Sequence, residues 1–119
     1  MAENSKYDLE DRTERFAKRV REFIKKLPRT LSNYEDIRQL VNASGSVGAN
    51  YIEANEALSK KDFVMRVKIS RKESKDSRYW LKLIELENSS EVVREQKELI
   101  QESTELMNIF GAIIRKTEP

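Results

Sequence analysis

The sequence predicts an all-α fold, an up-and-down antiparallel four-helix bundle, and three observations predict it. Apolar residues recur at helical spacing in four separate segments, no segment alternates with the period of a strand, and the 119 residues hold only three Gly and two Pro. Sheet-rich folds need more turn residues than that. The length suits one domain, 1–119, with enough chain to bury a core and too little to divide into two independent ones.

In the first segment, placing residues at about 100° steps puts Leu9, Thr13, Phe16, Val20, Phe23, Ile24 and Leu27 on one stripe. Asp8 is placed to cap this helix and Pro28 to end it, because Pro drives the preceding residue out of helical geometry. The second stripe is Ile37, Leu40, Val41, Ser44, Gly48, Tyr51, Ile52 and Asn55, with Ser32 or Asn33 as its N-cap. Its middle, residues 42–50, is made of small side chains and includes Gly45 and Gly48. Each Gly inside a helix costs about 1 kcal/mol relative to Ala. A long helix here therefore predicts compensation from the close approach of a neighbour.

The third helix begins at Ser59, where Ser59-Lys-Lys-Asp62 resembles a capping box with Asp in place of Glu. Its core stripe is Phe63, Val67, Ser70, Ser74, Ser77, Leu81 and Ile84. Asn88, Ser89 and Ser90 break the pattern, and Val92, Gln96, Leu99, Ser103, Leu106, Met107, Phe110, Ile113 and Ile114 form the last stripe. Short connections make successive helices antiparallel neighbours.

Composition bounds the chemistry. The absence of Cys removes disulfides, thiolate ligands and a cysteine nucleophile. The absence of His removes the usual acid/base side chain near neutral pH and the Glu-x-x-His pattern of di-iron bundles. Lys, Glu and Ser could still act without His, but nothing in the spacing arranges them into a site. The reading is therefore a non-enzyme with no catalytic residue, metal or cofactor. The polar N-terminus and the lack of any run long enough to span a membrane predict a cytoplasmic protein, in which the Asn-x-Ser matches at Asn42 and Asn88 carry no weight.

The net charge of +2 hides an uneven distribution: residues 60–82 carry nine basic and three acidic side chains, and residues 83–119 four and eight. On helix three, Lys61, Lys68, Arg71, Lys72, Lys75, Arg78 and Lys82 occupy the arc left by the apolar residues, with Tyr79 placed to stack on a base. Such a stripe can neutralise successive phosphates of a nucleic acid. It can equally be a solvated face paired with Glu95, Glu98, Glu102 and Glu105 of helix four, and on charge alone that second reading is the better one. Helix three also carries Met65, Ile69, Trp80 and Leu83, roughly 100–160° from its core line, a second apolar stripe that fits an oligomer interface anchored by Trp80 better than it fits a wide core-facing helix with a few exposed apolar residues.

Other motifs carry less. Gly45-Ser-Val-Gly48 lacks the Gly-Lys-Ser/Thr of a phosphate loop and sits in a helical pattern. Asp8, Glu10, Asp11 and Glu14 fit a helix-dipole role better than a cation site. Tyr51 lies on a core stripe.

The run from Gly45 to Phe63, continued by residues 66–74 and by Ser77-Arg-Tyr-Trp-Leu81, resembles the bacterial four-helix bundle family named for proteins encoded in intervening sequences of 23S ribosomal RNA genes. The similarity reaches from Tyr7 through the last helix. It implies up-and-down subunits in a ring, a homopentamer, and kinship with the accessory proteins of diversity-generating retroelements, which are basic bundles that bind nucleic acid and assist a reverse transcriptase. The family pattern includes the positions of Asn50, Glu53, Ser77 and Arg78. A structural pairing of Glu53 with Arg78 or Arg66 is expected from it.

Two functions follow. The first is an oligomeric nucleic-acid-binding or accessory module that uses helix three to hold RNA or DNA. The alternative is a homo-oligomeric protein-interaction scaffold that binds no nucleic acid.

Overall fold

The computed structural model describes residues 6–118. The polar segment 1–5 and Pro119 lie outside the described residues. Four helices, α1 Lys6–Ile24, α2 Leu31–Asn55, α3 Lys60–Leu83 and α4 Ser90–Thr117, form an up-and-down bundle. Each helix packs on its neighbours in sequence, α4 closes back on α1, and the backbones of the diagonal pairs stay more than 8 Å apart, Cα to Cα, among the described residues. The result is a rod of 46 × 30 × 21 Å.

Hydroxyl caps set three of the helix starts. Thr30, Ser59 and Ser89 accept hydrogen bonds from the backbone N–H of Asn33, Asp62 and Val92. The cap of α2 is therefore Thr30, upstream of the expected Ser32 or Asn33. Asn33 is instead fully buried. Its amide nitrogen donates to the carbonyls of Pro28 (3.1 Å) and Glu85 (2.9 Å), and its side-chain oxygen accepts the Glu85 N–H (3.0 Å). One side chain thus joins the α1–α2 and α3–α4 connections. Asp8 lies in the first turn of α1 rather than at its cap. That helix ends at Ile24, short of Pro28, in a turn closed by Lys26 N–H to Phe23 and Leu27 N–H to Ile24.

The expected stripes of α1, α3 and α4 supply the core. Phe16, Phe23, Leu81, Leu99, Leu106 and Phe110 are among its largest fully buried side chains, and Tyr51 tilts against Phe110 with ring centroids 5.7 Å apart. The stripe of α2 is rotated from expectation. Ala43, Val47 and Ala54 are buried with Leu40, Ser44 and Tyr51, whereas Ile52 is 46% exposed. Small side chains let α2 and α3 approach closely enough for the Ser70 hydroxyl to donate to the Val47 carbonyl at 2.9 Å. The other buried serines, Ser44, Ser74, Ser77 and Ser103, return their hydroxyls to carbonyls of their own helices. Among the described residues no buried polar side-chain atom is left without a partner.

The two glycines of α2 play different parts. A Cβ on Gly48 would lie 2.8 Å from the Thr13 hydroxyl and 3.2 Å from its Cβ, so α1 crosses α2 here because there is no side chain. On Gly45 the nearest atom is the flexible end of Arg21, 3.4 Å away. Gly48→Ala should lower stability by about 1–3 kcal/mol through overpacking. Gly45→Ala should be neutral or raise stability by up to about 1 kcal/mol, because Ala is the better helix former. Thermal melts followed by circular dichroism separate the two, and equal losses would refute the assigned crossing point.

Candidate nucleic-acid interface

The α3 helix presents Arg71, Lys75, Arg78 and Lys82 at spacings of four, three and four, which places them on one stripe along about 16 Å of the axis. The stripe lies toward α4: Arg71 reaches over Gly111, and Lys68 pairs with Glu118 at 3.1 Å. Tyr79 is exposed beside it, packed edge-on against Trp80 with centroids 5.2 Å apart and the rings at 70°.

Among the described residues this stripe makes no ion pair with the acidic residues of α4. Those carboxylates occupy the opposite flank of α4 and face α1. The Arg12 Nε and Nη2 donate to the two oxygens of Glu102 at 2.8 and 2.9 Å, and Nη2 also donates to Glu105 at 2.8 Å. Farther along the seam, Arg19 meets Glu98 at 3.0 Å, and Lys26 meets Glu95 at 2.6 Å and Glu91 at 3.3 Å. The charges stabilise one another. Hydrogen bonding to Glu102 holds the Arg12 guanidinium more firmly protonated than usual, and bonding to Glu95 does the same for Lys26. Donation from Gln101, then from Arg12, holds the Glu105 carboxyl below its ordinary range.

On α3 itself Lys72 pairs with Asp76 at 2.8 Å. Glu73 sits 3.9 Å from Lys72, and burial pushes its carboxyl upward against that attraction. Both acids lie off the basic stripe. Of the seven cations expected to form the face, Lys68 and Lys72 are paired, and Lys61, Arg71, Lys75, Arg78 and Lys82 have no acidic partner among the described residues.

The pairing expected between Glu53 and Arg78 is not made. The α2–α3 register puts Val47 beside Ser70 and Asn50 beside Arg66, whose Nη1 donates to the Asn50 side-chain oxygen at 3.0 Å. Arg78 lies twelve residues, about 18 Å, farther along α3 than Arg66, out of reach of Glu53. Glu53 shares a surface cleft with Arg66 but forms no ion pair with it among the described residues. The side-chain pair that marks the register between these helices is Asn50–Arg66, beside the Ser70 hydroxyl on the Val47 carbonyl.

The second apolar stripe divides into two patches. Met65 and Leu83 are 48% and 44% exposed, while Ile69 and Trp80 are half-buried and the Trp80 ring leans on the core. The Lys72–Asp76 ion pair interrupts the line between Ile69 and Trp80. Met65 and Ile69 floor an open cleft of about 1040 Å³ edged by Lys61, Lys68 and Lys72.

With the bundle and its charged faces described, comparison with known proteins is informative. Residues 5–112 match the sequence pattern of the 23S rRNA-intervening sequence protein family. The chain belongs to that family. A crystal structure of a protein with unknown function from the S23 ribosomal protein family of Bacteroides thetaiotaomicron superposes with a TM-score of 0.73. That protein is 28% identical, and the match covers 88% of this chain and 96% of the other. No curated protein matches the chain. The family assignment brings no catalytic class with it. Among the described residues of this 23S rRNA-intervening sequence protein, no group of three or more acidic, His or Cys side chains is placed to hold a metal, and no helix is long and apolar enough to cross a membrane.

Sequence reasoning confined the basic face to α3 and missed Arg115, whose Nη1 lies with Arg71 Nε beside Gly111. The signal was present in the spacing of Lys97, Thr104, Gly111 and Glu118, each seven residues from the next and so on one flank of α4. Two of these positions touch α3 cations, which extends the face across both helices.

Proposed function

We propose that this protein is an oligomeric nucleic-acid-binding module that uses the α3 basic face for phosphates and the flanking apolar patches for self-assembly. One observation carries the reading: the α4 carboxylates that could have neutralised α3 are engaged by Arg12 and Arg19 of α1 and by Lys26 of the turn after it, so the α3 stripe faces solvent as uncompensated positive charge. A row of unpaired cations on a rigid helix is a field for a polyanion, and copies in a ring would multiply it. No base-reading motif accompanies the stripe, so binding should ignore sequence. RNA and DNA are both candidate ligands, and a reverse transcriptase or another protein could be delivered to the same nucleic acid. The test is fluorescence anisotropy of labelled single- and double-stranded RNA and DNA across a salt series. Salt-sensitive binding supports the reading; no binding at low salt favours the protein-interaction scaffold.

For the assembly, Met65 and Leu83 make cleaner probes than Trp80, which also supports the core. Met65→Glu with Leu83→Glu should reduce the sedimenting mass to that of one chain while leaving helicity intact, since an unpaired charge buried at an interface is costly. An unchanged oligomer would move the interface elsewhere, and a monomeric parent protein would remove it.

A further inference from the structure

Gly111 of α4 is buried. It differs from Gly48 in what closes over it. No helix backbone or core side chain from elsewhere in the bundle lies within 4 Å of where a Cβ would project. Among the described residues, and apart from the α4 backbone and the adjoining Phe110 and Ala112, the atoms that do are Arg115 Nη1 at 3.3 Å and Arg71 Nε at 3.6 Å. Two guanidiniums from two helices therefore flank the same glycine, these two nitrogens no farther apart than the sum of those distances.

Neither arginine has an acidic partner among the described residues. Glu118, the acid on this flank of α4, is taken by Lys68. The C-terminal end of α4 favours a cation at Arg115, but it does not account for a second guanidinium beside the same glycine, where like charges repel. An anion between them removes the repulsion, and the planar fork of each guanidinium matches the oxygens of a phosphate. The bare glycine adds to the argument. Helix packing does not require it, Ala would be the better helix former, and its missing side chain leaves open the space beside which both side chains lie.

We infer that Arg71 and Arg115 form a two-guanidinium clamp for a single phosphate group, seated on Gly111. The clamp rests on the nucleic-acid reading for the source of that phosphate, namely a backbone phosphate of a strand lying along α3 and α4. It would fix the strand's position where the other cations supply only attraction.

The test uses the full chain. Arg71→Lys and Arg115→Lys keep the charge and lose the fork, with Arg78→Lys as the control. Each of the first two should weaken binding of a labelled single-stranded oligonucleotide roughly tenfold, the scale of one charge-assisted hydrogen bond, and the control should not. Gly111→Ala should raise Tm by a few degrees yet weaken binding, a combination that a purely structural glycine would not give. Inorganic phosphate titrated at constant ionic strength should shift the Nε–H signals of Arg71 and Arg115 in nitrogen-15 spectra more than those of other exposed arginines. If the oligonucleotide binds and all three lysine variants bind as the parent does, the clamp is overturned while the basic face stands. If no nucleic acid binds but phosphate still singles out Arg71 and Arg115, the clamp stands and the nucleic-acid reading fails. Uniform shifts at every exposed arginine overturn the clamp.

Discussion

Replacing Asn33 with Leu should cost about 3 kcal/mol of stability, the loss of three hydrogen bonds whose backbone partners are left without their side-chain partner. Leu has the same branched heavy-atom skeleton as Asn and is the larger of the two, so cavity formation is not the cause. The cost arises because the side chain is fully buried and every polar atom it carries is used. Asn33→Asp keeps the oxygen that accepts from Glu85 but loses both donations and places a carboxylate near two carbonyl oxygens, so it should be at least as damaging. Urea denaturation gives the magnitude, and amide exchange gives the location: protection of the Glu85 N–H should fall first, because that group donates to Asn33. A change below about 0.5 kcal/mol, the range of an ordinary surface substitution, would mean the two connections are held by something else.

Asn33 also marks the limit of what the sequence shows. Its neighbours Thr30, Ser32 and Asn33 are all competent caps, and local chemistry cannot choose among them. The choice depends on the α3–α4 connection, more than fifty residues away in the chain, whose backbone needs an amide to close it. The stripes of α1, α3 and α4 were legible because large apolar residues occupy one face and charges the rest. The stripe of α2 was not, because Ile37, Val41 and Ile52 compete with a face built from Ala43, Ser44, Val47 and Ala54. Where the true contact face is small, side-chain size points the wrong way. Close approach to α3 then buries the small side and leaves Ile52 half in solvent.

The charged face was half legible for a similar reason. Periodicity places Glu91, Glu95, Glu98, Glu102 and Glu105 on one stripe of α4, and Lys97, Thr104 and Gly111 on another. It cannot say which stripe meets α1 and which meets α3, since that depends on the handedness of the four-helix square. In the structure the acidic stripe meets α1, which turns the basic residues of α3 from one side of an ion-pair seam into an uncompensated surface.

Charge reversal at Arg71, Lys75 and Lys82 should therefore abolish nucleic-acid binding without unfolding the protein. None of the three is in an ion pair among the described residues, so no buried or bridging partner is orphaned and Tm should change little. Binding should fall on the order of a hundredfold or more at low salt. If each cation neutralises one phosphate, the slope of log K against log salt should also lose about two units for a single strand. The same three reversals at Lys18, Lys25 and Arg38 provide a matched control, because these residues pair with acids three or four positions earlier in the chain and lie off the α3 stripe. The control changes net charge by the same amount. If it weakens binding as much as the α3 variant does, attraction is a property of the whole molecule and no face is specific. If the α3 variant alone loses affinity and slope, the phosphates lie along α3. If the parent protein shows no salt-dependent binding to any of the four nucleic acids, the unpaired stripe serves an acidic protein partner, and the same variant should then be tested against that partner.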